Sequence, residues 1–211
     1  MSIELYTWGT PNGKKISIAL EEMALPYSVH PVNIGKDEQF APDFLKISPN
    51  NKIPAIVDTD NGQSVFESGA ILMYLGNKSG MFYPGELAAR IKVNEWLMWQ
   101  MGGFGPMLGR AHQFLHYHVG KAPFAEEMFE KEAQRLYGVL DTQLGKTEFM
   151  AGDYSIADMA TFPWAARHQW QRVDLNNFPN VKRWYLNIAA KPAVLKGYDV
   201  PTKGSAIPMP A

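Results

Sequence analysis

Pro54 stands at the head of the apolar run Pro54-Ala55-Ile56-Val57, directly after Asn50-Asn51-Lys52-Ile53. Proline cannot donate to a strand ladder, so within a sheet it is confined to the first residue of a strand, an edge or a bulge. The run therefore predicts a strand entered through a turn at Ile53-Pro54, a place that suits a cis bond. Such a turn leaves the N–H and C=O of Ile53 outside the ladder, where an extended peptide can take both as a short added strand. One hairpin later, marked by Asp60-Asn61-Gly62, Val65-Phe66 closes a second strand and Glu67-Ser68-Gly69 opens a helix. The first N–H groups of a helix have no partner within it and attract a carboxylate. Together the two segments describe a pocket for a small peptide carrying an ammonium and a carboxylate at one end: Glu67 for the ammonium, Ser68 for the carboxylate, Ile53 for the middle. The plain alternative is a strand-start proline and a helix cap.

The rest of the first half fits around that pair. Ile3-Glu4-Leu5-Tyr6-Thr7 alternates as a strand, and Trp8 to Gly13 is a turn. Ile16, Ile18-Ala19-Leu20 and Met23 recur at helical spacing. Tyr27 to Asn33 reads as extended, Glu38 to Ile47 as a short helix, and Ser68 to Lys78 as an amphipathic helix. The order βαβαββα is thioredoxin-like, since parallel strands need crossovers of this kind. We expect an α+β chain with domain boundaries at 1–80, a linker at 81–87 through Met81-Phe82-Tyr83-Pro84-Gly85, and an all-helical bundle at 88–211. Helices are expected at about 87–116, 123–144, 156–171 and 179–190. Ser155-Ile156-Ala157-Asp158 has the spacing of a capping box, with Tyr154 placed to staple onto the turn. From about 197 onward Pro201, Pro208 and Pro210 predict an irregular tail.

Composition narrows the function classes. Twenty Lys+Arg balance 21 Asp+Glu, so no charge excess points to nucleic acid or an anionic membrane. There is no cysteine, which removes disulfides, thiolate metal sites and any protein thiol nucleophile. Sulfur chemistry must be brought by a ligand. No leader-like start and no membrane-length apolar run is present, so a cytoplasmic protein is expected.

The turn opening the first helix reads Thr10-Pro11-Asn12-Gly13. Thioredoxin-like enzymes place a reactive thiol there, where the helix dipole favours a thiolate. Here the Thr10 hydroxyl, the Asn12 amide and the N–H groups of the helix start are the candidate donors to an incoming thiolate. Lowering a thiol pKa by about two units takes ~2.7 kcal/mol, which one or two charge-assisted hydrogen bonds can supply. The alternative is an ordinary helix start.

Read together, these segments, Gly35-Lys36 before Gln39-Phe40, and Trp99 to Met107 with its Gly102-Gly103-Phe104-Gly105-Pro106 core resemble the glutathione S-transferase family. The resemblance is closest to its bacterial nu-class members, relatives of the fungal nitrogen regulator Ure2, and covers about residues 3–192. It implies glutathione as co-substrate without a metal, a homodimer, and reduction of small disulfides, with minor peroxidase activity. Thr10 and Asn12 would serve the thiolate, with Tyr6 as a competing activator. Ile53, Pro54, Glu67 and Ser68 would hold the tripeptide, and Lys52, then Gln39, then Lys14 or Lys15, would take its glycyl carboxylate. Phe104, Met107, Arg110 and His112 would line the second-substrate pocket, in a helix that the glycines and Pro106 must bend or loosen. An Arg found in some relatives early in the second long helix is Met128 here. His112, His116 and His118 lack the acidic partner of a known metal motif. The competing functions are conjugation to electrophiles and a non-enzymatic, Ure2-like regulatory role.

Overall fold

A computed structural model describes residues 2–210. Two compact units divide the chain: 1–83 with 190–207, and 84–189 with 208–211.

The first unit is built on four strands, β1 (Ile3–Thr7), β2 (Tyr27–Pro31), β3 (Ala55–Asp58) and β4 (Gln63–Phe66), in the order β2-β1-β3-β4. The β1–β2 pair is parallel and the other two pairs are antiparallel. Helix α1 (Pro11–Glu22) supplies the crossover that a parallel pair needs. The short α2 (Pro42–Ile47) precedes β3, and α3 (Ser68–Ser79) follows β4. The Asp60-Asn61-Gly62 hairpin forms as expected, with Gly62 at φ 72° and its N–H on the Asp58 carbonyl at 2.8 Å. Ile3, Leu5, Ile16, Ile18, Leu20, Ile56, Ile71 and Leu72 make the core.

Expectation and structure part at the end of the chain. A helix absent from the sequence reading, Pro192–Tyr198, returns to the first unit and packs on α1. Ser17 Oγ donates to the Gly197 carbonyl at 2.7 Å. A Cβ on Gly197 would lie 2.6 Å from the Ile18 Cα, so only glycine permits this approach. The helical region as read, 88–211, therefore loses 190–207 to the first unit.

The second unit is helical: α4 (Leu87–Trp99), α5 (Gly105–His112), α6 (Pro123–Leu144), α7 (Ile156–Ala165) and α8 (Pro179–Ala189); the returning helix is α9. The single helix expected over 87–116 is broken by two π turns, Gln100–Phe104 and Gln113–Tyr117. The Gly105 N–H reaches back to Gln100 O, so the glycine run loosens the helix by widening a turn. The capping box forms in full: Asp158 accepts from Ser155 N at 3.0 Å, and Ser155 Oγ from Ala157 N at 3.3 Å. Tyr154 sets its ring 5.1 Å from that of Phe149. Among the described residues no helix is long and apolar enough to cross a membrane.

Candidate functional site

Strand register brings three segments to one end of the sheet. Ala55 pairs with Tyr6 on one side and Phe66 on the other. Ile53-Pro54, entering β3, Glu67-Ser68, leaving β4, and the Thr7-to-Asn12 turn, leaving β1, therefore share that end.

At the turn, Thr10 is the N-cap of α1 in extended geometry, and its Oγ1 accepts the Gly13 N–H at 3.2 Å. Pro11 has no N–H, and the Lys14 N–H goes to the Thr10 carbonyl at 3.0 Å. The expected fan of outward N–H groups is thus largely used up. What Thr10 keeps is its hydroxyl hydrogen, since a capped oxygen can still donate. Gly13 is required here: a Cβ would stand 2.2 Å from Trp8 O. Thr10 and Asn12 are half-buried. Tyr6 stacks on His30 at 4.7 Å and packs against the cluster of Val32, Phe44 and Ala55, a sheet-packing role.

The Ile53–Pro54 bond is cis. Pro54 is buried, and the Ile53 side chain rests on the Val32, Phe44 and Ala55 cluster. The Ile53 backbone makes no hydrogen bond among the described residues. The preceding turn is fixed by Ser48, whose Oγ donates to Lys52 O at 2.8 Å and whose carbonyl takes the Asn51 N–H. Lys52 is exposed. Gln39 lies on a short 3-10 turn, its amide nitrogen 3.5 Å from Asp37 Oδ1.

Glu67 occupies the N-cap position of α3 at φ 68° and ψ 116°, and its side chain makes no capping hydrogen bond. That geometry is rare for a non-glycine residue. A cap is thus ruled out as the reason for Glu67, whose carboxylate is exposed. Ser68 begins α3, buried, with Lys15 Nζ 3.3 Å from its Oγ. Neither lysine of α1 is the surface donor considered from sequence. Lys14 Nζ is held by the carbonyls of Tyr198 and Val200, and Lys15 is 1% exposed. Burial pushes the Lys15 pKa down to about 7, with the Glu67 carboxylate acting the other way. Nothing in the sequence marked Lys15 as interior, because a Lys-Lys pair in a helix normally faces water.

In the second unit, Phe104 is fully buried between Trp99, at 5.0 Å, and Tyr137, at 5.4 Å. It is a core residue and lines no open pocket, a correction to the sequence reading. Met107 is half-buried and Arg110 exposed. His112 is buried against Trp164 and Trp170, with the Gln171 amide nitrogen 3.1 Å from its Nε2. Burial, then Arg167 and His116, push its pKa down to about 4, so it is neutral at pH 7. His116 stacks on Trp170 at 4.0 Å. Among the described residues no three His, Cys, Asp or Glu side chains gather as a metal site.

Residues 1–77 match the glutathione S-transferase N-terminal domain, and residues 106–192 the C-terminal domain of the same family. The chain is 49% identical over 197 residues to the disulfide-bond oxidoreductase YfcG of Escherichia coli, covering 90% of this chain and 92% of that one. It is 39% identical to YghU, a disulfide-bond oxidoreductase of the same organism, covering 92% and 73%. A glutathione transferase of Burkholderia graminis, solved with two glutathione molecules per subunit, superposes with a TM-score of 0.88 at 42% identity, covering 96% and 90%. One from Pseudomonas putida, solved with a glutathione disulfide per subunit, superposes at 0.88 and 42%, covering 95% and 92%. This chain belongs to the glutathione S-transferase family.

Proposed function

We propose that this protein is a glutathione-dependent disulfide reductase whose reacting sulfurs are all supplied by its substrates. The carrying observation is the Ile53 backbone, unbonded at the sheet end where Thr10, Asn12, Glu67 and Ser68 also gather. Ile53 takes the cysteinyl N–H and C=O of glutathione, Glu67 its ammonium, and Ser68 with the α3 N-terminus its γ-glutamyl carboxylate. Lys52 or Gln39 meets the glycyl carboxylate. The thiolate then lies at the α1 start, stabilised by the Thr10 hydroxyl and the Asn12 amide.

The bound thiolate attacks a disulfide sulfur of RSSR, forming a glutathione–R mixed disulfide and expelling one RS⁻. A second glutathione thiolate attacks the glutathionyl sulfur, giving glutathione disulfide and the second RS⁻. Two glutathiones enter, one glutathione disulfide and two RSH leave, and no enzyme sulfur is needed. The pair of glutathiones in the Burkholderia protein and the glutathione disulfide in the Pseudomonas protein support this stoichiometry. Slower reduction of hydroperoxides draws on the same thiolate. We further propose a cytoplasmic homodimer, supported by exposed Leu87, Ile91 and Met98 along α4; sedimentation tests the dimer.

The deciding assay compares 2-hydroxyethyl disulfide with a chlorodinitrobenzene electrophile in the presence of glutathione. Turnover of the disulfide well above the electrophile is expected. The reverse result means a conjugating enzyme, and no turnover of either favours a binding role.

A further inference from the structure

The chain reaches Ile53 through a loop that one buried side chain holds. Helix α2 ends at Ser48, whose N–H goes back to the Phe44 carbonyl at 2.9 Å. Ser48 then opens a tight turn. Its carbonyl accepts the Asn51 N–H at 2.9 Å across Pro49-Asn50, and proline at the second place of such a turn is preset for it. Asn51 follows at φ 48°, a left-handed conformation that asparagine tolerates better than most side chains. That bend returns the Lys52 carbonyl to Ser48, whose hydroxyl donates to it at 2.8 Å. Ser48 is 1% exposed.

The direction of the Lys52 carbonyl decides that of the next N–H. Among the described residues only the Ile53–Pro54 and Val200–Pro201 bonds are cis. The Lys52–Ile53 peptide unit is therefore trans and planar, with its C=O and N–H pointing opposite ways. A carbonyl turned onto the buried Ser48 hydroxyl turns the Ile53 N–H away from the loop. The Ile53 side chain is held separately, by packing on the Val32, Phe44 and Ala55 cluster. Rotating the peptide unit to aim the N–H elsewhere breaks the Ser48 bond.

Resting on the proposed orientation of glutathione, we propose that Ser48 is a positioning residue: it touches no ligand, and through the Lys52 carbonyl it aims the Ile53 N–H at the cysteinyl carbonyl of the tripeptide. An amide hydrogen bond weakens steeply when its donor swings out of line, and a donor held in place beforehand loses no freedom on binding. The cap of α2 and the turn are both made by the Ser48 backbone, so neither accounts for the hydroxyl. The hydroxyl thus sets the substrate class of the site. It favours a cysteinyl thiol with a carbonyl on its carboxyl side, as in a peptide, over a bare aminothiol.

Calorimetric titration tests this with two ligands: glutathione, and its (E)-alkene isostere in which CH=CH replaces the Cys–Gly amide. The isostere keeps the γ-glutamyl head, the thiol and the glycyl carboxylate but lacks the cysteinyl carbonyl. The parent should hold glutathione about threefold to fifteenfold more tightly than the isostere, the worth of one aligned hydrogen bond. Ser48→Ala should lose most of that preference by weakening glutathione, leaving the isostere unchanged within a factor of about two. Ser48→Thr, which keeps the hydroxyl, should restore it. Equal weakening of both ligands by Ser48→Ala makes Ser48 a loop-folding residue and overturns the inference, as does an unchanged affinity for glutathione. A parent that binds both ligands alike overturns the orientation of glutathione itself. If Ser48→Ala does not fold, Ser48→Cys takes its place: it fills nearly the same space with a weak donor, and the same outcomes decide.

Discussion

The Thr10 hydroxyl oxygen accepts the Gly13 N–H at 3.2 Å, and that bond decides what Thr10 has left to offer. In the proposed binding mode, cap and ligand donor are two ends of one hydroxyl. Thr10→Ser should keep both. Thr10→Val should lose both, costing about 1 kcal/mol of stability as a missing cap and raising the pKa of bound glutathione by about 1–2 units as a missing charge-assisted donor. Thiolate absorbance against pH measures the second effect, and denaturant unfolding the first.

Asn12 and Glu67 should separate in kinetics. In the proposed binding mode Asn12 donates to the thiolate, so Asn12→Ala should lower kcat about tenfold to a hundredfold while glutathione still binds. Glu67→Ala would remove the proposed ion pair to the ammonium and should raise the glutathione KM by a similar factor. A parent-like rate across pH in Asn12→Ala would assign thiolate stabilisation to Thr10 or Tyr6.

Glu67 at φ 68° and ψ 116° holds a backbone shape that costs a non-glycine residue about 1–3 kcal/mol. Glu67→Gly should relieve that strain and raise the unfolding midpoint of the ligand-free protein, while glutathione affinity drops. Stability and binding moving in opposite directions is the expected signature of a residue kept for its ligand.

Asp158 gives a pH test of the second unit. Burial pushes its carboxyl up to about 6, against donors from Met150, Trp184 and Ser155 that favour the anion. The folded pKa thus exceeds the 3.8 of the free group. Between those values the folded chain holds a proton that the unfolded chain has released, so stability falls as pH rises from about 4 to 6 and then levels. Asp158→Asn should flatten that slope. It should also cost about 1–3 kcal/mol at neutral pH by setting an amide against a buried donor. Urea midpoints across the range check both.

Much of the fold could be read from local pattern because its signals are local. Alternation marks β1, Pro54 sets the start of β3, and Ser155 with Asp158 starts α7. The bounds of α6, Pro123–Leu144, follow from a proline at the start and a glycine after the end. What escaped depends on distant partners. α9 is seven residues long and is held by its packing on α1, so its own pattern is weak. The burial of Lys15 is set by α3, more than fifty residues away in sequence. Phe104 beside glycines and Pro106 suggests a loosened rim, yet the π turn swings it inward between Trp99 and Tyr137. At the site, residue types and order were legible. The geometry that makes Glu67 strained and uses the Gly13 N–H was not, because backbone dihedrals at single positions leave little trace in composition.

The return of α9 to α1 has a consequence for biogenesis. During synthesis the sheet and its first three helices emerge early, but the carbonyls that receive Lys14 and Ser17 belong to Gly197, Tyr198 and Val200. Until those residues clear the ribosome, Lys14 and Ser17 lack the three carbonyl acceptors that the returning segment supplies, and the Gly197 seat against Ile18 stands open. The unit that begins first is therefore among the last to be completed, and a nascent chain halted near residue 190 would carry a largely finished helical unit and an unfinished sheet unit.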